Sequence, residues 1–302
     1  MRMTASVWAM LLALSVLWGG SFFFVEVAVA SLPPLLLVWL RVAIAAIALV
    51  VFLHITGRRL PRGRDAWIAF LGMGLLNNVI PFSLIAWGQT EISSGLASII
   101  NAMTPVSAVV LAHLLTEDEK LTPARLTGVL LGVAGVVVLI GLDALEGIGA
   151  AVLAQLAVLG ATVSYGFAGI WGRRFKRSGI EPTVAAAGQV AGSTIILALP
   201  VLVLSAPLTL PMPSGTVILS MLALALLSTA LAYVLFFRIL AAAGAGNVML
   251  VTLLVPPSAI LLGWAFLGER LELQHMAGMA LIGLGLVWLD GRLPGLLRPQ
   301  RT

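Results

Sequence analysis

Two short stretches pair a polar side chain with an aromatic ring one helical turn away: Asn78 with Phe82, and Thr229 with Tyr233. Residues four apart share a helix face, so each stretch presents an amide or hydroxyl beside a ring. That combination binds rather than reacts, the ring taking the apolar body of a small molecule and the amide its polar end. Asn77, Asn101, Ser228 and Thr252, with Trp18 and Tyr165, extend the inventory, and all lie within apolar runs. Singly, Asn and Thr at such places also join helices through hydrogen bonds worth ~0.6 to 2 kcal/mol; as a set they point to a pocket for an amphipathic solute. Covalent chemistry has little to work with. The chain holds no cysteine and three histidines, and it lacks HExxH, GxSxG and a phosphate-binding glycine loop. An intramembrane enzyme would need a nucleophile with a base, paired carboxylates or a metal cluster. No cofactor, metal, ATP or nucleic acid is expected to bind.

Three ionisable residues lie inside or near the apolar runs. Glu26 and Arg41 fall ~6 and ~10 Å from the same end of neighbouring helices at ~1.5 Å per residue, so an ion pair between them is expected. Intramembrane charge is a functional hypothesis by default, and these two are gating or coupling candidates. His113, towards the end of its run, is a third, because imidazole titrates near neutral pH. No Lys, Arg, Asp or Glu falls at the centre of a run. Phosphorylated solutes prefer fixed positive charge, so neutral or zwitterionic metabolites, amino acids and aromatic ones among them, are the better match.

Such residues need elements to hold them. The chain is 61% hydrophobic and 10% charged, with a mean hydropathy of +1.12, whereas soluble domains are ~25% charged. Ten apolar runs are long enough to span a bilayer: 8–30, 34–53, 66–90, 94–116, 122–140, 148–171, 182–205, 214–238, 245–267 and 273–289. The expected fold is therefore an all-α integral membrane protein of ten transmembrane helices, with the lipid bilayer as its surroundings. Arg2 and the Ala28-Val-Ala30 triplet loosely imitate a secretory signal, but the apolar stretch is too long and is expected to stay as the first helix.

Basic residues in short loops remain cytoplasmic. With the N-terminus inside, fifteen of the seventeen Lys and Arg fall on the inner side, leaving Arg270 outside and Arg41 within a helix. Both termini are then cytoplasmic. Fifteen arginines against two lysines, with short loops, agree with a bacterial inner membrane.

The sequence also repeats itself. Gly95, Asn101, Pro105 and Ser107 precede Gly246, Thr252, Pro256 and Ser258 by 151 residues, as Asn77-Asn78 and Phe82 precede Ser228-Thr229 and Tyr233. Glu119, Gly128 and Gly135 match Glu269, Gly278 and Gly285 at 150, and Trp18-Gly19 matches Tyr165-Gly166 at 147. Each copy holds five helices, residues 1–143 and 144–302. Five is odd, so the second copy enters the membrane from the opposite side, a construction frequent in secondary transporters. Pro105 and Pro256 then fall in matching helices near mid-membrane, where proline removes a donor and clashes with the carbonyl four residues back. They are expected to act as hinges. Gly128 and Gly132, spaced small-xxx-small, read as a packing surface.

Leu17-Trp-Gly-Gly-Ser21, Leu40-Arg41, the Ser94-Gly-Leu-Ala run into Pro105 and Leu267-Gly-Glu-Arg-Leu271 resemble the drug/metabolite transporter superfamily. Within it the chain is similar to the ten-helix EamA-type exporters, of which the YddG aromatic amino-acid exporters are one group. The resemblance covers nearly the whole chain and implies two inverted five-helix halves around a central cavity lined by helices 1, 3, 4, 6, 8 and 9. An arginine in helix 2 is common in that superfamily, and the second copy has Gln189 there. The first copy departs from the pattern at Thr116-Glu-Asp-Glu119, where the second reads Leu-Gly-Glu269. The expected function is alternating-access export or facilitation of a small molecule. A drug or other metabolite efflux carrier is the near alternative, and a channel-like pore or an intramembrane enzyme the distant ones. Nothing in the sequence sets an oligomeric state, and a monomer is compatible with it.

Overall fold

A computed structural model describes residues 4–140, 149–205, 210–244, 248 and 250–289. Ten helical rods follow the ten apolar runs: α1 Ala5–Val29, α2 Pro34–Ile55, α3 Arg64–Gly88, α4 Ser94–Leu115, α5 Pro123–Ile140, α6 Ala150–Arg177, α7 Pro182–Leu204, α8 Gly215–Ala243, α9 Val251–Leu267 and α10 Leu273–Leu289. Seven of them are long and apolar enough to cross a bilayer; α5, α9 and α10 are shorter apolar helices. Leu12, Val16, Ile47, Val51, Leu130, Val137, Leu199 and Leu202 are exposed. So much apolar surface facing outward is what lipid contact requires and what a soluble monomer avoids. Arg2, Gly246, residues 141–148, where the copies are expected to divide, and the chain beyond Leu289 lie outside the described residues.

Local sequence sets the ends. The hydroxyls of Thr4, Ser93 and Ser214 accept the backbone N–H groups of Val7, Leu96 and Val217 and cap α1, α4 and α8. Pro34 and Pro182 start α2 and α7, where a missing donor costs nothing. Gly57 and Gly179 close α2 and α6 with φ of 73° and 64°, backbone that glycine adopts without penalty. The two stops are tied across the bundle end by Arg58 Nε to Glu181 Oε2, 2.8 Å. At the same end Arg173 on α6 reaches Asp118 at 2.8 Å and Glu119 at 2.7 Å. That hydrogen bond holds the exposed Asp118 carboxyl below the usual carboxylate range.

Close packing is built on small residues. A Cβ on Gly128 would stand 2.8 Å from the Gly285 carbonyl, and one on Gly135 would stand 2.8 Å from that of Gly278. These glycines let α5 and α10 touch backbone to backbone, as helices in lipid must when no hydrophobic effect drives them together. On α1, a Cβ on Gly19 would run into Ser258 Oγ of α9.

The proline expectation is refined. α4 is broken before its proline: Ser94–Asn101 ends, Ala102 and Met103 turn, and a new segment, Thr104–Leu115, carries Pro105 at its second position. There the lost N–H would have been unpaired anyway. Pro256 and Pro257 instead lie inside the continuous segment Val251–Leu262, removing two successive donors from its ladder.

Candidate substrate site

Two turns of π-helix place the polar pairs. Leu75–Val79 in α3 and Leu226–Leu231 in α8 are wound one residue wider than α-helix, with Ile80 N–H donating to Leu75 O and Ala232 N–H to Leu227 O. Hydroxyls explain the widening, because a side chain bonded to a helical carbonyl disturbs the i to i−4 ladder. Ser193 Oγ donates to Gly74 O at 3.1 Å, Ser164 Oγ to Leu76 O at 2.7 Å, and Thr229 Oγ1 to Leu224 O at 2.8 Å. Asn77, Asn78, Ser228 and Thr229 sit on these turns, and π-turns are frequent at functional sites.

From the turns a buried polar network joins α3, α7 and α8. Tyr233 donates its hydroxyl to Asn78 Oδ1 at 2.9 Å, and Asn78 Nδ2 donates to Ser193 Oγ at 2.9 Å. Asn77 Nδ2 reaches Gln189 Oε1 at 3.1 Å and the Tyr233 hydroxyl at 3.2 Å. Arg41 closes the group from α2, giving Nε to Thr229 Oγ1 at 2.9 Å and laying its guanidinium 3.7 Å over the Phe82 ring. Tyr165 packs against the apolar cluster that contains Phe82. Thr229 is at the middle of α8, so the arginine side chain reaches further inward than the position of its backbone indicates.

Arg41 and Glu26 do not pair. Gln89 Nε2 instead donates to Glu26 Oε2 and to the Phe22 carbonyl, both at 2.8 Å. Close by on the same membrane side, Glu269 accepts the backbone N–H groups of Ser94 at 2.8 Å and Gly95 at 3.0 Å. A carboxylate there satisfies the first donors of α4 and its positive dipole end.

Other expected site residues stand apart. Trp18 stacks on Phe236, ring centres 5.6 Å apart. Asn101 Oδ1 and Ser228 Oγ are buried with no hydrogen-bond partner among the described residues, and Thr252 is half-buried in the first turn of α9. His113 accepts the Leu121 N–H on Nδ1 at 3.2 Å, while its carbonyl takes Lys120 Nζ at 3.0 Å; it braces the loop after α4. Gln189 and Ser193 were not among the expected site residues, although their i, i+4 spacing on α7 and the match of Gln189 to Arg41 were available. The resemblance leaves helices 2 and 7 out of the cavity lining, yet both feed this cluster. A cleft of about 600 Å³, lined by Leu76, Phe167, Trp171 and Arg174 among others, runs beside it from the arginine-rich end to the π-turn of α3.

Helix count, lipid-facing surface and a buried polar cluster are those of a multi-pass membrane protein. The model of the EamA-like transporter family matches residues 5–141 and again 152–289, so the chain belongs to that family. Among its relatives, the "Uncharacterized transporter YoaV" of Bacillus subtilis is 25% identical over 91% of this chain and 94% of that protein. The "Probable amino-acid metabolite efflux pump" of Escherichia coli is 28% identical over 90% of each. A crystal structure at 22% identity superposes with a TM-score of 0.66 over 94% of this chain and 97% of that one, a likeness of fold.

Proposed function

We propose that the protein exports small neutral or zwitterionic metabolites, foremost amino acids including aromatic ones. It works by alternating access between inverted halves 1–143 and 144–302, in a bacterial inner membrane with both termini cytoplasmic. One observation carries the mechanism: contacts recur with the halves exchanged. Ser107 on α4 bonds Thr162 on α6 at 2.8 Å, and Ser258 on α9 bonds the Ser15 carbonyl on α1 at 2.8 Å. Gly128 meets Gly285 as Gly135 meets Gly278. A two-fold relation in the membrane plane produces such swapped pairs, and halves so related can exchange shapes around a fixed site. The substrate class is supported by the amide and aromatic groups of the cluster and by the amino-acid efflux named for a relative.

The test is counterflow of labelled amino acids into liposomes holding the purified protein. Saturable exchange of aromatic amino acids, abolished by Asn101→Leu beside the break in α4, is the expected result. Flux that never saturates would indicate a pore. No exchange across the panel would sink the amino-acid assignment and turn the search to drugs, amines and sugars.

A further inference from the structure

Arg41 is 7% exposed and carries its charge into the bundle without a counter-ion. Among the described residues no carboxylate lies within ion-pairing distance of it. Its Nε is used by Thr229 and its face by Phe82, while neither terminal nitrogen makes a hydrogen bond among the described residues. A guanidinium has five donors, so most of its binding capacity is uncommitted. An isolated cation at such depth is expensive to keep in a membrane.

The molecule contains its own comparison. At the matching position of the second half stands Gln189, a neutral amide that accepts from Asn77 and is also buried. The second half is thus built with an uncharged amide there. Beneath the guanidinium is the Phe82 ring, and Tyr165 packs against the same apolar cluster as Phe82. A planar two-donor fork is the shape that a carboxylate accepts in bidentate fashion. One cation with no second one beside it matches a monoanion better than a doubly charged phosphate.

We propose that Arg41 is the anion anchor of the transport site, holding the carboxylate of an organic substrate whose apolar body lies against Phe82 and Tyr165. This rests on the reading of the chain as a metabolite carrier, and it moves recognition of the charged end to α2.

The full-length protein in detergent is heated with phenylalanine, 3-phenylpropionate, phenethylamine or inorganic phosphate, as wild type, R41Q and R41K. Phenylalanine and 3-phenylpropionate should raise the wild-type Tm and phenethylamine should not. In R41Q the apparent Kd for both carboxylates should rise about 10- to 100-fold, the loss of a charge-assisted pair. R41K should fall between, because an ammonium keeps the charge and loses the fork. Without probes, R41Q should melt at or above the wild type. The proposal fails if carboxylates stabilise R41Q equally, if no probe or phosphate alone acts on the wild type, or if probe-free R41Q melts several degrees lower, which would make Arg41 structural. Phenylalanine counterflow unchanged in R41Q removes the anchor and leaves the exporter. Carboxylate binding lost in R41Q with no amino-acid counterflow keeps the anchor and removes the exporter.

Discussion

Asn78 and Asn101 look alike in the sequence and differ in the fold. Asn78 is fully buried and bonded to both Tyr233 and Ser193, so Asn78→Leu should cost about 1 kcal/mol and lower Tm in detergent, because the Tyr233 hydroxyl loses its acceptor while Ser193 keeps its bond to Gly74 O. Asn101 Oδ1 has no hydrogen-bond partner to lose among the described residues. Asn101→Leu should leave Tm roughly unchanged, because an unsatisfied buried acceptor is itself a cost; counterflow lost without thermal destabilisation would mark it as a binding group. An equal drop in Tm for both variants would contradict this division. The polar inventory was legible because polar residues are scarce in this chain. Their partners were not: Asn77 meets Gln189, 112 residues away, and Glu26 meets Gln89 rather than Arg41. Depth along a helix axis does not say which way a side chain turns.

At the scale of elements, hydropathy places the helices well because lipid allows few alternatives to a fully hydrogen-bonded rod. α10 covers 273–289 as expected. α6 continues beyond the expected 171 to Arg177, since basic residues carry a helix past the apolar layer. The π-turn of α3 was invisible because its cause is tertiary: the hydroxyls bonded to Gly74 and Leu76 come from positions 119 and 88 residues away. One face of the glycine seam, by contrast, was legible in Gly128 and Gly132, though not that α10 is its partner. Gly135→Val and Gly278→Val should each destabilise by about 1 to 3 kcal/mol, the usual penalty of overpacking, with the pair less than additive because both pry open one crossing. Thermal unfolding of the two single variants and the double checks it; an undisturbed Tm in either single variant would show that α5 and α10 separate at no cost.

For the whole molecule, the two bundle ends are tied by different means. At one, Glu269 spans from the end of α9 to the first amides of α4; at the other, its match Glu119 bonds Arg173 on an exposed face. The proposed alternating access would require the Glu269 clasp to open once per cycle, so on that reading its strength should set how often that end admits water. Two charge-assisted bonds to backbone amides are worth enough that removing them should shift the open population about 10- to 100-fold. Glu269→Ala does so directly. Gly263→Ala should act alike, because its Cβ would displace the Glu269 carboxylate and crowd Ser94 Oγ at 3.0 Å. The chain has no cysteine, so Ser98→Cys, fully buried just over one turn below the clasp, gives a clean reporter. Its labelling by a membrane-impermeant maleimide should accelerate in both variants, and only from the Glu269 side. Labelling equally slow with and without Glu269 would mean that this carboxylate only caps α4, and that the opening lies elsewhere along the contact between α1 and α9.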